Sequence, residues 1–168
     1  AIKKRLGNIP IIAEDLGIIT TDVEKLKNEC GFPGMKVLQF ELCPDGRKNI
    51  GFSCSENTVI YTGTHDNDTT LGWLRNTLSP EQKAVLAEYL KLYRPDDKKI
   101  CCKLMEYAYA SAARLAILPL QDVLGLDSSA RMNTPGTLNK NWAWQLEKNQ
   151  LTVERASFLA QLCHKYDR

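Results

Sequence analysis

The run Thr58-Val59-Ile60 gives way within a few residues to Tyr61-Thr62-Gly63-Thr64-His65-Asp66-Asn67-Asp68-Thr69-Thr70. Its β-branched side chains favour a buried strand. An imidazole, two carboxylates and a carboxamide in immediate succession are costly to bury without partners. The strand therefore has to open onto a mouth where these groups meet a polar ligand. That favours folds in which chemistry gathers at strand ends. Upstream, Ile9-Pro10-Ile11-Ile12-Ala13 runs in the same way into Glu14-Asp15-Leu16-Gly17. Two strands ending in carboxylates point to one shared site, with Glu14 and Asp66 at the same mouth.

The rest of the chain alternates strand and helix signals. Strands are predicted over residues 9–13, 34–40, 58–62 and 115–120. The pattern Thr21-Asp22-Val23-Glu24 reads as a capping box opening a helix that stops near Cys30-Gly31. Ser79-Pro80-Glu81-Gln82 opens another, running to about Tyr93. A longer helix is expected over 97–114. A last one begins at Thr152, with Val153, Ala156, Leu159, Ala160 and Cys163 on one face. Residues 41–57 and 121–141 read as loops, the second with one short helical turn. Four apolar strands separated by helices or long loops call for a parallel α/β sheet.

With 168 residues the chain can bury one core, and a net charge of +2 with scattered Lys and Arg gives no basic stripe for nucleic acid. No apolar run is long enough to span a bilayer, and no export signal follows Ala1. The missing initiator Met suggests a processed or truncated chain. The six cysteines form no Cys-x-x-Cys pair. They read as reduced thiols, most of them small hydrophobes in a cytoplasmic protein.

Four blocks, in order along the chain, carry a resemblance. They are Ile12-Ala13-Glu14-Asp15-Leu16-Gly17; Gly31-Phe32-Pro33-Gly34-Met35-Lys36-Val37-Leu38-Gln39-Phe40; Tyr61 to Trp73; and Ala130-Arg131-Met132-Asn133-Thr134-Pro135-Gly136-Thr137 leading to Asn141-Trp142. Together they resemble the C-terminal part of the 4-α-glucanotransferases, the amylomaltase or disproportionating-enzyme family (glycoside hydrolase family 77). The resemblance implies a TIM-like (β/α)8 barrel and retaining transfer of α-1,4-glucan segments between malto-oligosaccharides or glucose, with no cofactor and no metal. Residues 1–168 would then be the C-terminal half of the catalytic barrel, strands five to eight. Glu14 matches the general acid/base and Asp66 the carboxylate that stabilises the transition state. His65 matches a sugar-binding imidazole. Asp15, Arg131 and Asn133 are expected to touch substrate. The family's nucleophilic aspartate ends the strand before that of Glu14. The chain starts just ahead of the Glu14 strand, so the nucleophile is expected to be absent and the isolated chain inactive. Its expected partners are α-1,4-glucans, together with the other half of a barrel or a second copy covering the open sheet; no nucleic acid or membrane is implied.

Each of these residues also has a simpler role. Glu14 would serve as a solvated strand-end carboxylate, and Asp66 as an Asx-type turn residue. Asp68 would suit a turn or the N-cap of the helix carrying Leu71 and Trp73. Arg131 and Asn133 would serve as loop-pinning donors. Trp73, Trp142 and Trp144 offer faces for sugar stacking, with a core role favoured for at least two. Two other functions use the same residues. One is a divalent-metal-dependent hydrolase built on Glu14, Asp15, His65 and Asp66. The other is a non-catalytic glucan-binding fragment.

Overall fold

The computed structural model describes residues 4–5, 7, 9–44, 52–138 and 140–168. Its centre is a parallel sheet in the order β1 (Gly34–Val37), β2 (Thr58–Tyr61), β3 (Leu115–Ile117). Met35 aligns with Val59 and Val59 with Leu115, and one row of the register is Val37, Tyr61 and Ile117. Parallel neighbours need a crossover. Between β2 and β3 it consists of α3 (Thr70–Asn76), α4 (Pro80–Tyr89) and α5 (Asp97–Ala110). Further helices among the described residues are α1 (Thr21–Cys30), α2 (Leu38–Glu41), α6 (Leu120–Leu124) and α7 (Val153–Tyr166), with a 3-10 turn at Ser128–Ala130.

The core lies between the sheet and the crossover. Ile60, Leu38, Leu71, Leu74, Leu86, Ile100 and Leu104 form one buried cluster with Trp73. A smaller cluster of Met105, Val123 and Leu162 seats α7 on α5 and α6. Helix ends follow local chemistry. Ser79 and Gln82 make a reciprocal capping box with Pro80 in the first turn, and Gly31 closes α1 at φ 65°.

The expected elements need several corrections. Residues 9–13 do not form a strand. Ala13 N–H donates to the Pro33 carbonyl at 2.8 Å, but Ile9 and Ile12 stay exposed. Pro10 and Pro33 have no N–H to extend a ladder. The described sheet therefore has three strands rather than four, with β1 and β3 at its edges. The strand expected to reach Phe40 stops at Val37, where the chain turns into α2. That turn buries Leu38 and Gln39 and leaves Phe40 exposed. The last strand stops at Ile117 instead of Leu120; Pro119 caps α6, which runs from Leu120 into the stretch expected to be loop with one short helical turn. The caps of α1 and α3 are Thr20 and Thr69, each one residue from the expected Thr21 and Asp68. Helix α4 ends at Tyr89, before the expected Tyr93, and α5 at Ala110, before Arg114.

The packed face of α7 is also rotated from the face picked out by its sequence. Phe158, Leu159, Leu162 and Tyr166 pack inward, while Val153, Ala156 and Ala160 are exposed. Arg155 Nη2 bonds the Leu124 carbonyl at 3.2 Å and orients the helix, so larger side chains fill the seam. Residues 45–51 of the expected 41–57 loop lie outside the described residues. None of the six cysteines is in a disulfide, and burial pushes the Cys101 thiol up to about 12. No helix among the described residues is long and apolar enough to cross a membrane.

Candidate active site

The strand ends surround a cavity of about 1650 Å³ whose lining includes Glu14, Asp15, His65, Asp66, Arg131 and Trp142. It has room for a ligand larger than a typical small molecule. The two acidic segments picked out by sequence do meet at one mouth, even though residues 9–13 arrive there as extended chain. Glu14 is exposed on the cavity wall.

Asp15 anchors that segment. Its Oδ2 accepts from Lys27 Nζ at 2.5 Å and its Oδ1 from Met35 N–H at 2.6 Å. Burial alone would raise the carboxyl. The hydrogen bonds from Lys27 and Met35, with the Lys27 charge, outweigh it and hold Asp15 below the ordinary carboxylate value. A Cβ on Gly34 would meet Asp15 Oδ2 at 2.3 Å, so the close approach requires glycine. Asp15 therefore ties the Glu14 segment to α1 and β1.

The second segment, residues 62–69, joins β2 to α3. Asn67 Oδ1 accepts from Thr64 N–H at 2.9 Å and from Thr64 Oγ1 at 2.8 Å, which folds the segment into a tight turn. The turn presents His65 and Asp66, whose side chains are 55% and 50% exposed. His65 Nε2 stands 3.3 Å from Asp66 Oδ1. The loop after α6 grips this pair from the other side. Asn133 Nδ2 donates to Asp66 Oδ1 at 2.6 Å, and Asn133 N–H donates to the His65 carbonyl at 3.1 Å. Arg131 Nη2 donates to the Asp66 carbonyl at 2.7 Å, and its Nε to the Asn133 carbonyl at 2.8 Å. Arg131 and Asn133 thus act here as loop-pinning donors. Asp66 Oδ2 receives no hydrogen bond from the described residues.

Trp142 packs on His65 with ring centroids 5.0 Å apart, and its backbone N–H donates to the Met132 carbonyl at 2.7 Å. The tryptophans divide: Trp73 is core, Trp142 is 63% exposed on the cavity, and Trp144 is half-buried.

Asp68, Ser128, Gln39 and Asp122 brace the site from beneath the turn. Asp68 Oδ2 accepts from Ser128 Oγ at 2.5 Å, and Asp68 Oδ1 from Thr69 N–H at 2.8 Å. Gln39 Nε2 donates to the Asp68 carbonyl at 2.8 Å. Asp122 takes hydrogen bonds from Thr62 and Thr70. Gln39, a buried polar residue between Leu38 and Phe40, was visible as an interruption of an apolar run. Ser128 gave no local signal, because its partners Asp68 and Asn76 are far away in sequence. No group of three or more His, Cys, Asp or Glu side chains converges to hold a metal among the described residues.

A family model described as 4-alpha-glucanotransferase, glycoside hydrolase family 77, matches residues 1–152. The chain belongs to this family. It is 44% identical over 174 residues to the 4-alpha-glucanotransferase of Thermus thermophilus, covering 99% of this chain and 34% of that protein. It is 46% identical over 171 residues to the 4-alpha-glucanotransferase of Synechocystis, covering all of this chain and 33% of that protein. A chloroplastic/amyloplastic 4-alpha-glucanotransferase of Arabidopsis thaliana is 48% identical over 148 residues, 87% of this chain and 25% of that protein. The chain spans about a third of the length of the bacterial relatives it matches. Among solved structures, amylomaltase from Streptococcus agalactiae in complex with acarbose superposes with a TM-score of 0.89 at 37% identity. The match covers 99% of this chain and 34% of that one. Amylomaltase from Corynebacterium glutamicum, at 21% identity and a TM-score of 0.61, covers 95% of this chain and 28% of that one and shares the fold. The parallel α/β arrangement described above therefore matches part of an amylomaltase.

Proposed function

We propose that these 168 residues carry the acid/base half of a 4-α-glucanotransferase site and form strands five to eight of its (β/α)8 barrel. Because β1 is the first strand in the described sheet, the segment at residues 9–13 would hold the fifth-strand position as extended chain. The observation that carries this reading is the shared cavity, with Glu14 on one wall and the pinned His65–Asp66 pair on another.

Retaining transfer needs one carboxyl group to protonate the departing sugar oxygen and a carboxylate to attack the anomeric carbon. Glu14 is exposed to the cavity and takes the acid role; after the first sugar leaves, it removes a proton from the incoming hydroxyl. Asp66 is held by Asn133 on Oδ1, leaving Oδ2 for sugar hydroxyls and for the positive charge that develops at the anomeric carbon. His65 and Trp142 pack together beside it with their ring planes 37° apart, and the exposed Trp142 ring suits the apolar face of a pyranose. Arg131 and Asn133 orient this wall, and Asp15 orients Glu14. The attacking carboxylate comes from outside these 168 residues, so the substrate, an α-1,4-glucan, lies between this chain and the rest of the barrel. The acarbose in the Streptococcus agalactiae structure supports a glucan-like ligand.

Kinetics on the complete enzyme test the reading. Asp66→Asn keeps the side-chain shape and removes the charge, and kcat with maltotriose should fall by several orders of magnitude. The purified 168-residue chain should transfer nothing from maltotriose, because it lacks the nucleophile. Robust transfer by the isolated chain, or by Asp66→Asn, would overturn the assignment.

A further inference from the structure

Asp122 is a buried carboxylate that the proposed chemistry does not use. It lies in the first turn of α6 and is 3% exposed. Three donors converge on it. Thr62 Oγ1 donates to Oδ2 at 2.5 Å, Thr70 Oγ1 to the same oxygen at 2.7 Å, and Thr70 N–H to Oδ1 at 2.7 Å. Thr62 and Thr70 are each 1% exposed. They flank the segment that carries His65 and Asp66, so a single carboxylate from beyond β3 fastens both ends of that segment. The amide N–H needs an acceptor, and a carboxylate offers lone pairs enough for both hydroxyls to donate to it as well. No ion pair with Asp122 is found among the described residues, so these three hydrogen bonds are its compensation for burial.

We infer that Asp122 is a positioning residue: by clamping Thr62 to Thr70 it sets where the intervening segment places His65 and Asp66 in the cavity. The inference rests on the proposed role of Asp66 for its catalytic consequence, but its structural content can be read without activity.

The chain has two histidines, His65 in the clamped segment and His164 on α7, far from it in sequence. Imidazole proton NMR on the 168-residue chain therefore reports on the segment with an internal control. Thr70→Val removes one donor with little change of shape and leaves the N–H in place; Asp122→Ala removes the acceptor. Both should give resolved shifts or doubling of the His65 ring signals with His164 unmoved, and Thr70→Ser should return His65 to its wild-type position. Should Asp122→Ala fail to fold, Thr70→Val carries the test. His65 signals unchanged in folded Thr70→Val, with or without a lower Tm, would overturn the inference and leave Asp122 a fold element alone.

In the complete enzyme Thr70→Val should lower kcat by about 10²-fold, the scale for a small misplacement at a reacting centre, with KM nearly unchanged. A wild-type kcat alongside a displaced His65 would overturn the catalytic consequence. Full activity of Asp66→Asn would instead overturn the role given to Asp66 and leave the NMR result standing.

Discussion

Replacing Asp15 by Asn should loosen the segment that bears Glu14, by an amount the contacts allow to be estimated. The Asn oxygen can still accept from Met35 N–H, so the loss falls on the bond to Lys27. Those two side chains are 20% and 11% exposed, well short of a solvated surface pair. A hydrogen bond between charged groups contributes about 1.5–3 kcal/mol, against about 0–1 kcal/mol for an exposed pair. The expected deficit is therefore about 1.5–3 kcal/mol, or about 3–12 °C in Tm for a chain of this size. The sign of its pH dependence follows from the lowered Asp15 carboxyl. A carboxylate with a depressed folded value stabilises fully above its unfolded value and loses that contribution as pH falls through the folded one. Urea titrations of wild type and Asp15→Asn should differ most near pH 7. The gap should close as pH drops below about 4, the ordinary carboxylate value. A difference under about 0.5 kcal/mol at pH 7, the usual range for surface changes, or a gap independent of pH, would refute the reasoning.

Other substitutions probe the frame around the site. Gly72→Ala should destabilise despite the gain in helix propensity of about 1 kcal/mol. The new Cβ would lie 2.3 Å from Ser128 Oγ and 2.5 Å from Asp68 Oδ1, and thermal melts of the pair of proteins would show the sign. Leu74→Ala, at a fully buried position, should cost about 2–5 kcal/mol in denaturant unfolding. Ser79→Ala removes half of the capping box on α4 and should cost about 1 kcal/mol in the same assay.

The carboxylate-bearing end of β2 was legible because its signal is local: an apolar run followed at once by charged residues, from Ile60 to Asp68. Capping was legible for the same reason, to within one residue at Thr20 and Thr69. Failures came where distant partners decide. Residues 9–13 have strand composition, but their neighbour Pro33 offers no N–H, and a ladder needs donors on both sides. Leu38-Gln39-Phe40 continues an apolar pattern, yet Gln39 turns inward to reach the Asp68 carbonyl, and the backbone coils to allow it. The packed face of α7 was not legible because Arg155 and the volume of Phe158, Leu162 and Tyr166 decide it. The roles of Asp122 and Ser128 were not legible, since they depend on Thr62, Thr70 and Asp68, some 50 to 60 residues away.

If Glu14 donates the proton to the leaving sugar, a donor that needs no proton separates that role from every other. Fluoride departs from an α-maltosyl fluoride without acid assistance, whereas the glucose of maltotriose does not. In the complete enzyme, Glu14→Gln should lose transfer from maltotriose by several orders of magnitude. With the fluoride donor it should still form a covalent glycosyl-enzyme, visible by intact mass spectrometry, and this should accumulate because no base remains to activate the acceptor. Equal loss with both donors, or normal transfer from maltotriose, would contradict the account.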